Sequence, residues 1–369
     1  MTRPRRGPVA AALTLALLVL TGCSSDSETP AAGPSSDPTS ATAEPSERLS
    51  DRASESAGSA PAESASPSTA APDPISIAAL AEADLPGGGL RLGAVRERTA
   101  GYTSYDVTFR STLAGRGTRP LTISGVLNVP RGEGPFPAVV LAHGFIEPSS
   151  YVRGQGMTRE RGFLADRGYV ALHVDYRNHA ESTDDPRVQS AVRLGYSTDV
   201  IAATKALRAS DEVDVDPERI ALFGRSMGTG VILKALEIEP GLAAAGVAWA
   251  SVSSLEAQNY RHFNAADPAF ATEREAMQRR HGLPAESPGF WRGISSRPAF
   301  GSITEPVLLA HGRNDETCPP RWARATQRAL TEAGVDSTLE WYDDQHAFGP
   351  VFVPAMNRTV RFLDRRMPG

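Results

Sequence analysis

Ser226 stands in the pentapeptide Gly224-Arg225-Ser226-Met227-Gly228, directly after the apolar run of residues 220–223 and before a helical pattern carried by Val231, Ile232, Leu233 and Leu236. A strand, a sharp turn and a helix in that order drive the serine into strained backbone geometry. They lift its hydroxyl clear of the sheet, with the positive end of the helix beneath it. The glycines two places either side supply the clearance such a turn needs. The chemistry this arrangement serves is nucleophilic attack on a carbonyl carbon. The competing reading is a glycine-rich helix start in which Ser226 is an ordinary N-cap.

A serine hydroxyl is a weak nucleophile, so a base and an orienting acid must lie on other loops at the same end of the sheet, in chain order serine, acid, histidine. Of the seven histidines only His346 follows the last predicted strand, in Asp343-Asp344-Gln345-His346-Ala347-Phe348-Gly349. It is the candidate base, against a surface-loop histidine bonded to one of its own aspartates. Asp315 closes the segment His311-Gly312-Arg313-Asn314-Asp315 after an apolar strand and is the candidate acid, against an Asx-turn residue. Asp343 and Asp344 compete for that role but sit on the base's own loop. A developing oxyanion needs two backbone donors. Met227 N–H is the first, and the second comes from His143-Gly144-Phe145-Ile146, where Phe145 N–H is the choice. His143 and His311, each at a strand end, read as loop-orienting groups. No histidine cluster has metal-ligand spacing, and acyl transfer by such a triad needs neither metal nor cofactor.

The elements that must position these residues are legible as periodicity. Residues 105–109 and 121–127 alternate like half-buried antiparallel strands, joined by a turn around Gly115 and Gly117. Residues 138–142, 169–174, 220–223, 245–249 and 306–310 are short continuous apolar runs, as strands buried on both faces are. Helical spacing over residues 157–167, 199–208, 227–239 and 321–333 separates most of them, and a strand at 338–342 and a helix at 351–363 follow. The expectation is an α/β-hydrolase fold: a mostly parallel eight-stranded sheet with helices on both faces. Residues 251–300, rich in arginine and aromatic side chains such as Tyr260, Phe263, Phe270, Arg274 and Trp291, form an insertion placed to cap the acyl pocket.

The chain's amino-terminal end speaks to location. Arg3, Arg5 and Arg6 precede an apolar stretch over residues 9–20, too short for a membrane span and typical of a signal peptide. Leu20-Thr21-Gly22-Cys23 resembles the lipobox of bacterial lipoproteins. That resemblance implies a signal peptide over residues 1–22 and a diacylglyceryl group on the Cys23 thiol, against an ordinary secretory signal. Residues 23–74 are Ser, Ala, Pro, Glu, Asp and Thr with almost no large apolar side chain, the composition of a disordered tether. About fifty such residues reach roughly 40 Å. The catalytic domain is assigned to residues 75–369. The net charge of −5 and the lack of a basic block argue against nucleic acid as a partner. With Cys23 lipidated, Cys318 is the one remaining thiol and no intrachain disulfide forms.

From about residue 137 to residue 368 the chain resembles the catalytic domain of the prolyl oligopeptidase family of serine peptidases, and more loosely dienelactone-hydrolase-like esterases. The marks are His143-Gly144, residues 163–177 ending in Asp175-Tyr176-Arg177, Gly224-Arg225-Ser226-Met227-Gly228, Ser287-Pro288-Gly289-Phe290-Trp291, His311 to Asp315, and His346-Ala347-Phe348. The resemblance implies Ser226, Asp315 and His346 as the triad and Phe145 as the second oxyanion donor. Full-length members of that family carry an N-terminal β-propeller, for which the roughly sixty residues between tether and sheet leave no room. The expectation is therefore an extracytoplasmic, lipid-anchored serine hydrolase of small-molecule carboxylic esters or short peptides and amides. Alternatives are a peptidase acting mainly on peptides and a non-catalytic lipoprotein that binds ligands in a hydrolase-shaped pocket.

Overall fold

The structure, a computed structural model, describes residues 74–112, 120–189, 191–265 and 268–369. The signal peptide assigned to residues 1–22, Cys23 with the tether up to residue 73, and the turn around Gly115 and Gly117 lie outside the described residues.

A short helix α1 (Ile77–Ala81) opens the fold, its N-terminus capped by the Ser76 hydroxyl accepting from Ala79 N–H. Three long strands follow, β1 (Gly88–Arg98), β2 (Tyr102–Thr112) and β3 (Pro120–Pro130). The chain then alternates through β4 (Phe136–Ala142), α2 (Thr158–Ala165), β5 (Val170–Val174), α3 (Leu194–Arg208), β6 (Val215–Arg225), α4 (Met227–Ile238) and β7 (Ala245–Trp249). The insertion contributes α5 (Glu256–Asn259), a π-helical turn (Tyr260–Asn264), α6 (Ala271–His281) and α7 (Pro288–Gly293). Strand β8 (Val307–Gly312), α8 (Pro320–Glu332), β9 (Ser337–Tyr342) and α9 (Phe352–Arg366) complete the chain.

The sheet has nine strands in the order β1-β2-β3-β5-β4-β6-β7-β8-β9. Pairing is antiparallel from β1 to β5 and parallel from there to β9. The expected count of eight is corrected by β1. That strand is almost wholly exposed along its length and slips register against β2 three times. Its Arg-Glu-Arg end and its bulges are what a charged sheet edge carries, and they confine the apolar alternation to Leu90 and Leu92, too short a run to be read as a strand. The central strands behave as their composition requires: every residue of β5, β7 and β8 is buried. Helices α3 and α4 bury one face of the sheet, with Val200, Ile201, Ile232 and Leu236 in that cluster. Helices α2 and α9 bury the other through Leu164, Met356 and Leu363.

Strand order reverses at β4. The chain leaves β4 for β5 on one side and returns through α3 to β6 on the other. The loops that follow β4 and β6 therefore part in opposite directions and leave a crevice between them, the place where ligands bind in open α/β sheets. His143 begins one of those loops and Ser226 the other.

Candidate active site

Ser226 sits between β6 and α4 with φ 54° and ψ −123°, a region of the backbone map that costs a non-glycine residue of order 1–3 kcal/mol. An N-cap serine has extended dihedrals and accepts a hydrogen bond from the helix. Ser226 has neither, since its side chain makes no capping bond. The neighbouring glycines show why the strain persists. A Cβ on Gly224 would stand 2.3 Å from the carbonyl oxygen of Gly228, and one on Gly228 would stand 1.9 Å from that of Ala142 at the end of β4. The turn is thus pressed between its own helix and the neighbouring strand, and Ser226 N–H donates to Trp249 O on β7 at 2.9 Å.

The candidate acid and the candidate base meet. His346 Nδ1 lies 3.0 and 2.9 Å from the two carboxylate oxygens of Asp315. Asp315 is buried on the loop between β8 and α8, and its Oδ1 accepts the backbone N–H groups of Thr317 at 2.9 Å and Cys318 at 2.7 Å. Burial pushes the Asp315 carboxyl upward, but the hydrogen bonds from His346 and Cys318 and the electrostatic influence of the His346 and His311 rings outweigh it. The net shift is downward, and the group is a carboxylate. A carboxylate facing Nδ1 keeps the proton on that nitrogen and leaves Nε2 as an acceptor. Ser226 and His346 line one cavity of about 970 Å³, with Thr317 beside them. The rival carboxylates are engaged elsewhere. Asp343 is exposed and paired with Arg313 at 3.0 Å, while Asp344 accepts from Gln345 N–H and Val351 N–H.

The loop after β4 carries Phe145 to the cavity wall, and a Cβ on Gly144 would stand 3.1 Å from Ser226 Cβ. His143 Nδ1 is 2.6 Å from Gly144 O. A trans peptide directs its N–H opposite to its C=O, so holding the Gly144 carbonyl toward the imidazole turns Phe145 N–H the other way. Met227 is the first residue of α4, where backbone N–H groups have no intrahelical acceptor. His143 is fully buried, and burial, with His179 beside it, pushes its pKa down to about 3 against hydrogen bonds to Gly144 and Asp175. It is a neutral orienting group. The same holds for His311, whose Nδ1 accepts Ser251 N–H at 3.2 Å and whose Nε2 donates to Cys318 O at 2.9 Å.

Several contributors have no sequence signal. On the loop after β5, the Tyr176 hydroxyl donates to His143 O at 3.1 Å and His179 Nε2 lies 3.3 Å from Ile146 O, bracing the Phe145 loop. Tyr176 falls at the end of the stretch over residues 163–177, which shows no role for it, and His179 lies just beyond that stretch. Arg225, at the free position beside the serine, donates to His346 O at 3.3 Å and Ala347 O at 2.9 Å and so ties the base loop to the turn. Cys318 is fully buried on the Asp315 loop; burial and the Asp315 charge push its thiol's pKa up, so it is protonated. Among the described residues no group of three or more His, Cys, Asp or Glu is disposed to hold a metal ion. The insertion over residues 251–300 lines the cavity through Tyr260, Phe263, Phe270, Met277 and Trp291.

Comparison with known proteins bears on the fold and the family. The profile of the prolyl oligopeptidase family matches residues 156–366. Among solved structures, acetyl xylan esterase 1 from Thermoanaerobacterium sp. superposes with a TM-score of 0.58 at 18% identity, over 80% of this chain and 94% of that one. An acetyl xylan esterase from a Paenibacillus species gives 0.56 at 20% identity, over 78% and 92%. Dipeptidyl peptidase 4 of Porphyromonas gingivalis gives 0.52 at 17% identity, over 75% of this chain and 43% of that one. At these identities the likeness is one of fold, the α/β-hydrolase fold. The family match spans more than half of the sequence, and the chain belongs to the prolyl oligopeptidase family of serine hydrolases.

Proposed function

We propose that the protein hydrolyses carboxylic esters, and with them short peptides or amides, through an acyl-enzyme on Ser226. The observation that carries this is the strained, uncapped Ser226 sharing a cavity with His346, whose Nδ1 faces the buried Asp315 carboxylate. In this reading His346 Nε2 takes the Ser226 proton as the oxygen attacks the substrate carbonyl. Asp315 stabilises the imidazolium that forms, and the Phe145 and Met227 amides receive the oxyanion. The imidazolium then protonates the leaving group, and water repeats the cycle. Esters come first because the cavity is walled by the chain's own insertion, with no further domain required to close it. A fluorophosphonate probe tests the reading: covalent label mapped to Ser226, abolished by Ser226→Ala, supports it, and unlabelled folded protein favours a ligand-binding role. Turnover of p-nitrophenyl esters beside peptidyl nitroanilides ranks ester against amide.

The location belongs to the same reading. Two or more acyl chains on Cys23 hold a protein stably at a membrane, because each buried methylene contributes about 0.8 kcal/mol. The enzyme would then stand outside the cytoplasm on the residue 23–74 tether. Cys23→Ser should move the protein from the detergent to the aqueous phase while a form beginning near residue 74 retains activity. Equal partitioning of wild type and variant would show a secreted, unanchored protein.

A further inference from the structure

The cavity over Ser226 runs along one face of α4. Met227, Gly230, Val231 and Lys234 line it, at the spacing that places residues on one side of a helix. The floor is apolar for one turn and then becomes charged: Lys234 Nζ lies 2.5 Å from Glu256 Oε1. Both side chains are largely buried, 9% and 16% exposed. A helical side chain leans toward the helix N-terminus, and a Cβ on Gly230 would stand 3.6 Å from Lys234 Nζ. The ammonium therefore folds back over Gly230, about 6 Å along the helix from Ser226. Glu256 is fixed from behind. Its N–H donates to Ser295 Oγ at 2.9 Å, and its Oε2 accepts from Asn259 Nδ2 at 3.3 Å. Asn259 is itself locked by two hydrogen bonds to the Ser253 backbone.

Such a pair dictates what can lie against it. An apolar substrate end would strip water from two charges and return no hydrogen bond. An anionic end would meet Glu256 and a cationic end Lys234, unbalancing a pair that is neutral as it stands. A neutral hydroxyl or primary amide can accept from the two remaining donors of Lys234 and donate to a free lone pair of Glu256 at once. We infer that Lys234 and Glu256 are the specificity-determining end of the substrate pocket, taking an uncharged hydroxyl or amide carried about one helical turn from the scissile carbonyl. This rests on the serine-hydrolase reading of Ser226. The substrate class is a short ester or amide whose apolar middle packs on Val231, Met277 and Trp291 and whose far end is polar.

The test is a set of matched probes on the full-length protein. Either the acyl or the alkoxy part of an ester can lie over α4, so two series are used. One is p-nitrophenyl heptanoate, 6-hydroxyhexanoate, monoadipate and 6-aminohexanoate; the other is hexyl and 5-hydroxypentyl acetate followed by pH-stat. In one series the hydroxyl probe should exceed its methyl isostere in kcat/KM by about tenfold, the worth of a hydrogen bond to a charged group, with both charged probes below it. The double variant Lys234→Met/Glu256→Gln, which leaves no unpaired charge, should bring that ratio to about one. A pair that merely ties the insertion to α4 would change turnover of all probes alike and leave the ratio where it was. Equal or better use of the methyl isosteres in both series, or preference for a charged end, overturns the inference. So does an unchanged ratio in the folded variant, and the wild-type profile decides alone if the variant does not fold. Failure of the fluorophosphonate to label Ser226 removes both readings; labelling without hydroxyl preference removes this one only.

Discussion

Asp315→Asn separates the role of the acid from its contribution to stability, because the structure dictates how the amide will sit. Oδ1 is held by two backbone donors, Thr317 N–H and Cys318 N–H, so the amide oxygen must occupy that place. The amide nitrogen then takes the Oδ2 position, 2.9 Å from His346 Nδ1. An NH2 group there can only donate, which favours Nδ1 as acceptor with the imidazole proton on Nε2 over the native tautomer, whose one remaining acceptor is the amide oxygen 3.0 Å away, already taken by two backbone donors. In that tautomer Nε2 has no lone pair for the Ser226 proton. Loss of the correct tautomer at full geometric integrity costs serine hydrolases about 10³–10⁴ in kcat, or about 4–5.5 kcal/mol of transition-state stabilisation. Asp315→Ala is the wrong experiment, since it strands both N–H groups at about 1–3 kcal/mol each and mixes folding with catalysis. Steady-state hydrolysis of p-nitrophenyl acetate, the rate of fluorophosphonate labelling and the melting temperature are measured together on Asp315→Asn. A variant within about tenfold of wild type in kcat/KM at unchanged melting temperature refutes the argument. So does Asp343→Asn or Asp344→Asn proving worse than Asp315→Asn.

Two further outcomes follow from packing and burial. In Gly228→Ala the new methyl would stand 1.9 Å from Ala142 O and 2.8 Å from His143 O. Overpacking against backbone at the Phe145 loop should lower stability by about 1–3 kcal/mol and kcat/KM by about a hundredfold; a denaturation midpoint and rate both equal to wild type would show the contact to be soft. Burial, opposed by Lys234 and reinforced by Glu256, pushes the Glu237 carboxyl from its ordinary 4.5 up to about 8. A folded-state pKa above the unfolded one gives stability that is complete at low pH and lost as pH rises between those two values. Thermal unfolding from pH 5 to pH 8 should therefore show wild type losing of order 3 kcal/mol relative to Glu237→Gln. Parallel pH profiles for the two proteins would mean that Glu237 ionises in the fold as readily as in water.

The linear order of residue types determined a good deal. Short continuous apolar runs alternating with stretches of helical spacing mark strands buried on both faces, so the central sheet was readable strand by strand. A glycine-flanked serine between a strand and a helix specifies one local geometry, and Ser226 has it. Chain order then narrowed the partners to His346 and Asp315, which the fold brings to hydrogen-bond distance. Edge strand β1 escaped because its charged, bulged course leaves only Leu90 and Leu92 as a periodic apolar signal. Tertiary structure alone decided the rest. The bracing of the Phe145 loop by Tyr176 and His179, the bond from Arg225 to the base loop and the meeting of Lys234 with Glu256 all join residues distant in sequence or hidden at unremarkable positions. Periodicity reports which face of an element is buried. It carries no record of which polar side chains face one another across a cleft, because that depends on crossover paths and loop conformations that form only when the sheet closes.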